Sequence, residues 1–237
     1  MKITLIGTGA MYTRYNGAST LINDNLIIDM PNGTVKQLLK NDFDLTKIKT
    51  ILVTHLHGDH TADIPFFIKY IFNSKKINET INIIGPKGTK EKIVELFNAY
   101  KFENEEEINT YFKLNIKEIE EEIISISDYK ISSLLVEHGL EKPALGYIID
   151  GIVGLTGDSG LCYGVEKIFN LSKIVISDVS LIIGDDCHLG IDNIKYLVEK
   201  NNVKVFPTHL RDKTRETLIS DNINNVEVVE DFYEIII

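Results

Sequence analysis

Five of the six histidines of the chain stand at or just beyond a run that reads as a β-strand, and this placement limits the fold more than any other feature. Three of them share one segment, Thr54-His55-Leu56-His57-Gly58-Asp59-His60, directly after the strand-like TILV of 50–53. The others are His138 in LLVEHGL, His188 in DDCHLG and His209 in VFPTHL, and Asp158 in LTGDSG follows a strand-like run in the same way. Loops at strand ends are where binding and catalytic groups gather on a layered scaffold. Histidines serving as surface filler would also fall on helix faces and in polar tracts, and none does.

In an extended segment, residues two apart point to the same side, so His55 and His57 can converge on one ion. Gly58 is expected to let the chain turn. Asp59 and His60 then stand near the start of the next helix, where they can face a second ion. Imidazole and carboxylate together suit zinc, and also iron or manganese. The bland alternative is three exposed histidines in a polar turn; four potential ligands within six residues weigh against it.

Short runs rich in Ile, Leu, Val and Thr recur along the chain, at 2–7, 19–22, 25–29, 50–54, 81–85, 130–137, 145–150, 152–157, 173–177 and 203–208, then in VEVV (226–229) and at the terminus. Such runs predict strands, and Asp150-Gly151 between two of them predicts a hairpin turn. Helical spacing puts Ile93, Leu96, Phe97 and Tyr100 on one face of 87–101, and Ile191, Ile194, Leu197 and Val198 on one face of 190–200. Residues 33–41 and 62–72 are further helix candidates. Helices interspersed among strands fit a mixed sheet system covered by helices, an α/β protein. No linker or repeat interrupts the chain, so one domain over 1–237 is expected. The acidic runs at 103–107 and 118–122 read as solvated helix face or loop.

Composition narrows the function. Hydrophobic residues make up 43% and the net charge is −10. An acidic chain lacks the electrostatic footprint of a general nucleic-acid binder and the attraction for an anionic membrane surface. No apolar run reaches the roughly 18 residues of a membrane span, and the N-terminus does not resemble a secretory signal. Two cysteines, Cys162 and Cys187, are too few for a disulfide framework, so a reducing cytoplasm is expected.

HLHGDH resembles the HxHxDH signature of the metallo-β-lactamase superfamily. The resemblance extends in order through LIGTG, NLIID, His138, the TGD at Asp158 and the THL at His209. It implies a four-layer αββα sandwich of two mixed β-sheets flanked by helices. It puts His55, His57 and His138 on a first metal and Asp59, His60 and His209 on a second, with Asp158 bridging. A carboxylate can span two cations roughly 3.5–4 Å apart. The bridging residue is Asp rather than Cys, unlike secreted antibiotic-hydrolysing members. His57 stands where di-iron oxygen-reducing members have Glu. The stretch SDVS…DDCHLGIDNI…THL is similar to the region of tRNase Z-like phosphodiesterases where a helper histidine precedes a helix. That likeness makes His188 the candidate general acid and Asp178 its supporting carboxylate; with Asp59 these are the expected catalytic residues.

The implied activity is that of a dinuclear metal-dependent hydrolase, with two divalent ions, zinc first and manganese or iron as alternatives. A phosphodiesterase acting on a small phosphodiester is preferred. The alternatives are a lactonase- or thioesterase-type carbonyl hydrolase and a non-catalytic metal-binding protein. tRNase Z-type enzymes carry an arm for tRNA between the third motif and the bridging Asp. Here His138 and Asp158 are only twenty residues apart, which with the acidic charge speaks against tRNA as a partner. No membrane partner is expected, and a homodimer is left open.

Overall fold

The computed structural model describes residues 1–74, 80–102 and 113–237; the acidic run at 103–107 lies outside them. The chain divides into two compact units. The first comprises Met1–Gly7, Asn16–Glu118 and Phe232–Ile237, the second Thr8–Tyr15 and Ile119–Asp231.

The first unit is built on a seven-stranded mixed sheet: β1 (Lys2–Gly7), β2 (Ser19–Ile22), β3 (Leu26–Ile28), β4 (Thr50–Leu52), β5 (Thr80–Gly85), β6 (Lys113–Glu118) and β13 (Tyr233–Ile236). Their order is β13-β1-β2-β3-β4-β5-β6. The β13, β1, β2 and β3 neighbours are antiparallel, and β3, β4, β5 and β6 run parallel. Parallel neighbours need crossovers, which are made here by α1 (Thr34–Lys40), α2 (Gly58–Thr61), α3 (Ile64–Asn73) and α4 (Thr89–Tyr100). In α3, Ile64, Phe67, Ile68 and Ile71 repeat at helical spacing and are all buried, with Pro65 in the first turn where its missing N–H costs nothing. They pack with Ile27, Ile51 and Ile83 of the parallel strands into one core. Each such side chain contributes roughly 1.5–3 kcal/mol on burial.

The second unit carries a six-stranded mixed sheet of β7 (Ile123–Ile126), β8 (Tyr129–His138), β9 (Glu141–Ile149), β10 (Val153–Leu155), β11 (Ile174–Asp178) and β12 (Lys204–Thr208). The order is β12-β11-β10-β9-β8-β7. β10, β11 and β12 run parallel, and the remaining pairs are antiparallel. α5 (Tyr163–Leu171) and α6 (Ile191–Asn201) make the parallel crossovers, and α7 (Asp212–Asp221) follows β12. Ile191, Ile194, Leu197 and Val198 of α6 face a core shared with Val175 and Val205. Asp150 and Gly151 both take positive φ, at 54° and 67°, which closes the β9–β10 turn.

Two mixed sheets flanked by helices is the expected fold class. VEVV departs from expectation: it forms one bridge, Val226 to Val205, and no strand. After that bridge the chain leaves β12, and the Val229 carbonyl accepts a hydrogen bond from the Arg215 side chain instead. The run at 118–122 ends β6 and continues as a loop, with Glu120, Glu121 and Glu122 exposed.

Candidate functional site

In the first unit the histidine segment leaves the carboxyl end of β4, between two parallel neighbours. Ligand sites in open α/β sheets gather at such strand ends. His55 is buried, His57 is exposed, and Asp59 and His60 fall in α2. His55 Nε2 and His57 Nδ1 lie 3.0 Å apart, so two ring nitrogens point at one small volume. Gly58 has ordinary helical φ and open space where a Cβ would be. The turn therefore does not use the conformational freedom of glycine, contrary to the sequence expectation.

Asp29, just past β3, organises this segment. It is 4% exposed and takes a positive φ of 58°. Its Oδ1 accepts from the Thr54 N–H at 2.8 Å. Its Oδ2 accepts from Thr54 Oγ1 at 2.7 Å and faces His60 Nδ1 at 2.8 Å. A carboxylate only accepts, so the His60 proton sits on Nδ1 and its Nε2 carries a lone pair. The Thr54 hydroxyl spends its proton on Asp29, so it accepts from His55 Nδ1 at 3.0 Å, and His55 Nε2 is likewise a lone pair. His60 Nε2 lies 3.9 Å from Asp59 Oδ2.

In the second unit, His138 ends β8, Asp158 follows β10, Asp178 ends β11, His188 lies in the loop before α6 and His209 follows β12. One donor atom each from Asp158, Asp178, His188 and His209 falls within 4.8 Å of the others. His209 Nε2 is 3.2 Å from Asp158 Oδ2. The His188 ring stacks on His209 at 5.3 Å and meets His138 edge-on at 5.1 Å.

Here too each Nδ1 is held from behind. His138 Nδ1 donates to the Cys187 carbonyl at 2.7 Å. His188 Nδ1 faces Asp178 Oδ2 at 2.9 Å. Ser180 Oγ donates to Asp178 Oδ1 at 2.6 Å and accepts from His209 Nδ1 at 2.7 Å. Burial opposes protonation of His188, but the hydrogen bond and charge of Asp178, with the charge of Asp158, outweigh it and raise its pKa above the usual histidine value. Gly139 has a φ of 54°, and a Cβ there would stand 2.6 Å from Cys187 Sγ. Cys187 thus packs beside the His138 turn while its carbonyl orients the ring.

A metal-binding histidine ordinarily donates its second ring N–H to a carboxylate, carbonyl or hydroxyl, which fixes its tautomer. His55, His60, His138 and His209 all have that arrangement, and the acidic donors Asp59 and Asp158 stand beside them. The donor set fits divalent ions. Sequence reasoning did not assign Asp29 or Ser180 a role. The NLIID run placed Asp29 at a strand end, which was the available signal; nothing local marked Ser180.

The fold and these histidine–aspartate clusters define a tRNase Z-like protein of the metallo-β-lactamase fold. The chain belongs to the anti-Pycsar protein Apyc1 family, whose profile it matches over residues 1–232. A Ribonuclease Z of Methanococcus maripaludis is 32% identical over 153 residues, covering 62% of this chain and 48% of that protein. The match thus spans about half the length of that relative. Among solved structures, a diphosphatase of the PhnP family superposes with a TM-score of 0.80 at 17% identity, covering 100% of this chain and 97% of the other. The short form of human tRNase Z does so at 0.79 and 21%, covering 100% and 99%. These findings correct the expectation against tRNA. Curated relatives carry the name Ribonuclease Z and tRNase Z structures share the fold, so neither the acidic charge nor the short His138–Asp158 interval sets tRNA aside. Among the described residues, no helix is long and apolar enough to cross a membrane.

Proposed function

We propose that the protein is a metal-dependent phosphodiesterase. In this reading His55, His57, Asp59, His60, His138, Asp158 and His209 would hold two divalent ions. The assignment is the one the family resemblance implies. The observation that carries it is the shared orientation of His55, His60, His138 and His209, each with Nδ1 engaged and Nε2 left to coordinate. Such ions supply Lewis acidity and lower the pKa of water toward neutrality; zinc, manganese and iron all suit this donor set.

The chain's own residues do the rest. His188 holds a proton on the ring nitrogen opposite Asp178 and gives it to the leaving oxygen of the diester. Asp178 keeps the imidazole in that orientation and favours its charged form. The names of the relatives make tRNA the first substrate to examine. A small phosphodiester is the second, because the interval between His138 and Asp158 is taken up by β9, β10 and their tight turns. Cys162 and Cys187 are both free thiols, which suits a reducing cytoplasm.

The test is metal analysis of the purified protein beside a panel of tRNA, bis-(p-nitrophenyl) phosphate, small cyclic diesters, a lactone and a thioester. Diester cleavage that chelation abolishes and added metal restores is expected. Turnover of the lactone or thioester alone, or a protein that holds no ion, refutes the reading.

A further inference from the structure

Arg215 is a buried cation that the proposed chemistry does not use. It stands in the first turn of α7 and is 4% exposed. Its Nη1 donates to the Val229 carbonyl at 2.8 Å and its Nη2 to Thr8 Oγ1 at 2.6 Å. The guanidinium lies 3.8 Å from the centre of the Tyr15 ring. Its Nε is buried with no hydrogen-bond partner among the described residues. Burial pulls its pKa below the ordinary arginine value, against the charges of Tyr15, Glu230 and Asp231. Desolvating a charge is costly, and these hydrogen bonds with the Tyr15 ring are what offset that cost.

What Arg215 grips is the loop that flanks His209. Thr8 accepts from Arg215 and passes its own proton to Asp231 Oδ1 at 2.9 Å, with its backbone N–H on the same oxygen. The Thr8 carbonyl accepts from the Leu210 N–H at 3.0 Å, and Ala10 N–H donates to the Leu210 carbonyl at 3.1 Å. Leu210 is therefore clamped on both its polar groups by residues 8–10. The residue just before it, His209, has a φ of 52°, a left-handed conformation that is strained for a residue with a side chain and persists only where surroundings enforce it. One residue before Arg215, Thr214 Oγ1 donates to the carbonyl of Ser180, whose hydroxyl holds the His209 ring.

We propose that Arg215 is a positioning residue for His209, acting through Thr8 and Leu210 to hold the strained turn that keeps His209 Nε2 beside Asp158. This inference rests on the reading of His209 as a metal ligand. The experiment is titration of chelator-stripped protein with Mn2+ by calorimetry, for wild type, Arg215→Met, Arg215→Lys, Thr8→Val, His209→Ala and Leu218→Ala. Leu218 is buried on the same helix and reports the effect of destabilising α7 alone. Arg215→Met and Thr8→Val are expected to weaken one Mn2+ site about 10-fold, as removal of a supporting partner does in other metal sites, and Arg215→Lys to recover part of that loss. Leu218→Ala lowers the melting temperature without that change. Thr8→Val carries the test alone if Arg215→Met does not fold. Wild-type affinity in Arg215→Met and Thr8→Val, or an equal loss in Leu218→Ala, overturns the inference while His209→Ala still loses an ion. Full Mn2+ binding by His209→Ala overturns the ligand reading and the inference with it.

Discussion

Replacing Asp29 by Asn changes no volume, yet it should disable His60. The wild-type carboxylate accepts three hydrogen bonds, two of them on Oδ2 from Thr54 Oγ1 and His60 Nδ1. Asn keeps one accepting oxygen, which the Thr54 N–H claims. Its amide nitrogen then faces two groups that formerly donated. His60 satisfies it only by moving its proton to Nε2, which removes the lone pair offered to a metal. Hydrogen bonds to a charged group are worth about 1.5–3 kcal/mol, so a loss of roughly 2–3 kcal/mol in folding stability is expected, or roughly 5–10 °C in melting temperature for a chain of this size. Metal affinity should fall 10- to 100-fold by analogy with other supporting carboxylates, equivalent to about 1.4–2.7 kcal/mol. Calorimetric titration with Mn2+ and thermal melts with and without metal read both quantities. Asp29→Asn protein that binds Mn2+ as tightly as wild type would show that the carboxylate does not set the His60 tautomer.

Other perturbations give distinct signatures. His188→Asn should lower kcat by about 10²- to 10⁴-fold on diesters with alkyl leaving groups and far less on bis-(p-nitrophenyl) phosphate; an equal fall on both argues against a general acid. Ser180→Ala leaves Asp178 Oδ1 and His209 Nδ1 without their shared hydroxyl and should cost about 1–3 kcal/mol in urea denaturation. Chelation should lower the melting temperature, and metal at 100 times its Kd should restore about 2.7 kcal/mol. Burial raises the Asp63 pKa against the backbone N–H groups of Val35 and Gly33. Between the ordinary carboxylate value and that raised value the native state holds more protons than the unfolded chain, so stability falls as pH rises through the window. In Asp63→Asn that slope should vanish from urea melts taken across the acid range.

The histidine-bearing strand ends were legible because two signals coincide there, a β-branched run and a metal-binding residue type. The α6 face was legible because helical spacing and burial agree at Ile191, Ile194 and Leu197, whereas α3 was legible as a helix without its buried face of Ile64, Phe67, Ile68 and Ile71 being singled out. β6 and β7 went unread although KLNIK alternates polar and apolar residues; both border their sheets, with Leu114 and Ile124 as their only buried residues. VEVV misled for the opposite reason, having strand composition but only one bridge to β12. Asp29 and Ser180 were not legible as orienting groups because their partners, His60 and His209, are distant in sequence. Which donor they fix depends on proton accounting that only the folded geometry supplies.

Asp178 and Thr208 are register partners on adjacent parallel strands, and His209 is the next residue along. The backbone spacing of Asp178 and Thr208 is therefore dictated by main-chain hydrogen bonding, about 4.8 Å between strands. The β-ladder works as a ruler whose graduations stay put when the lettering is altered. Exchanging His209 for another donor should retune which cation is preferred while leaving the spacing of β11 and β12 as it was.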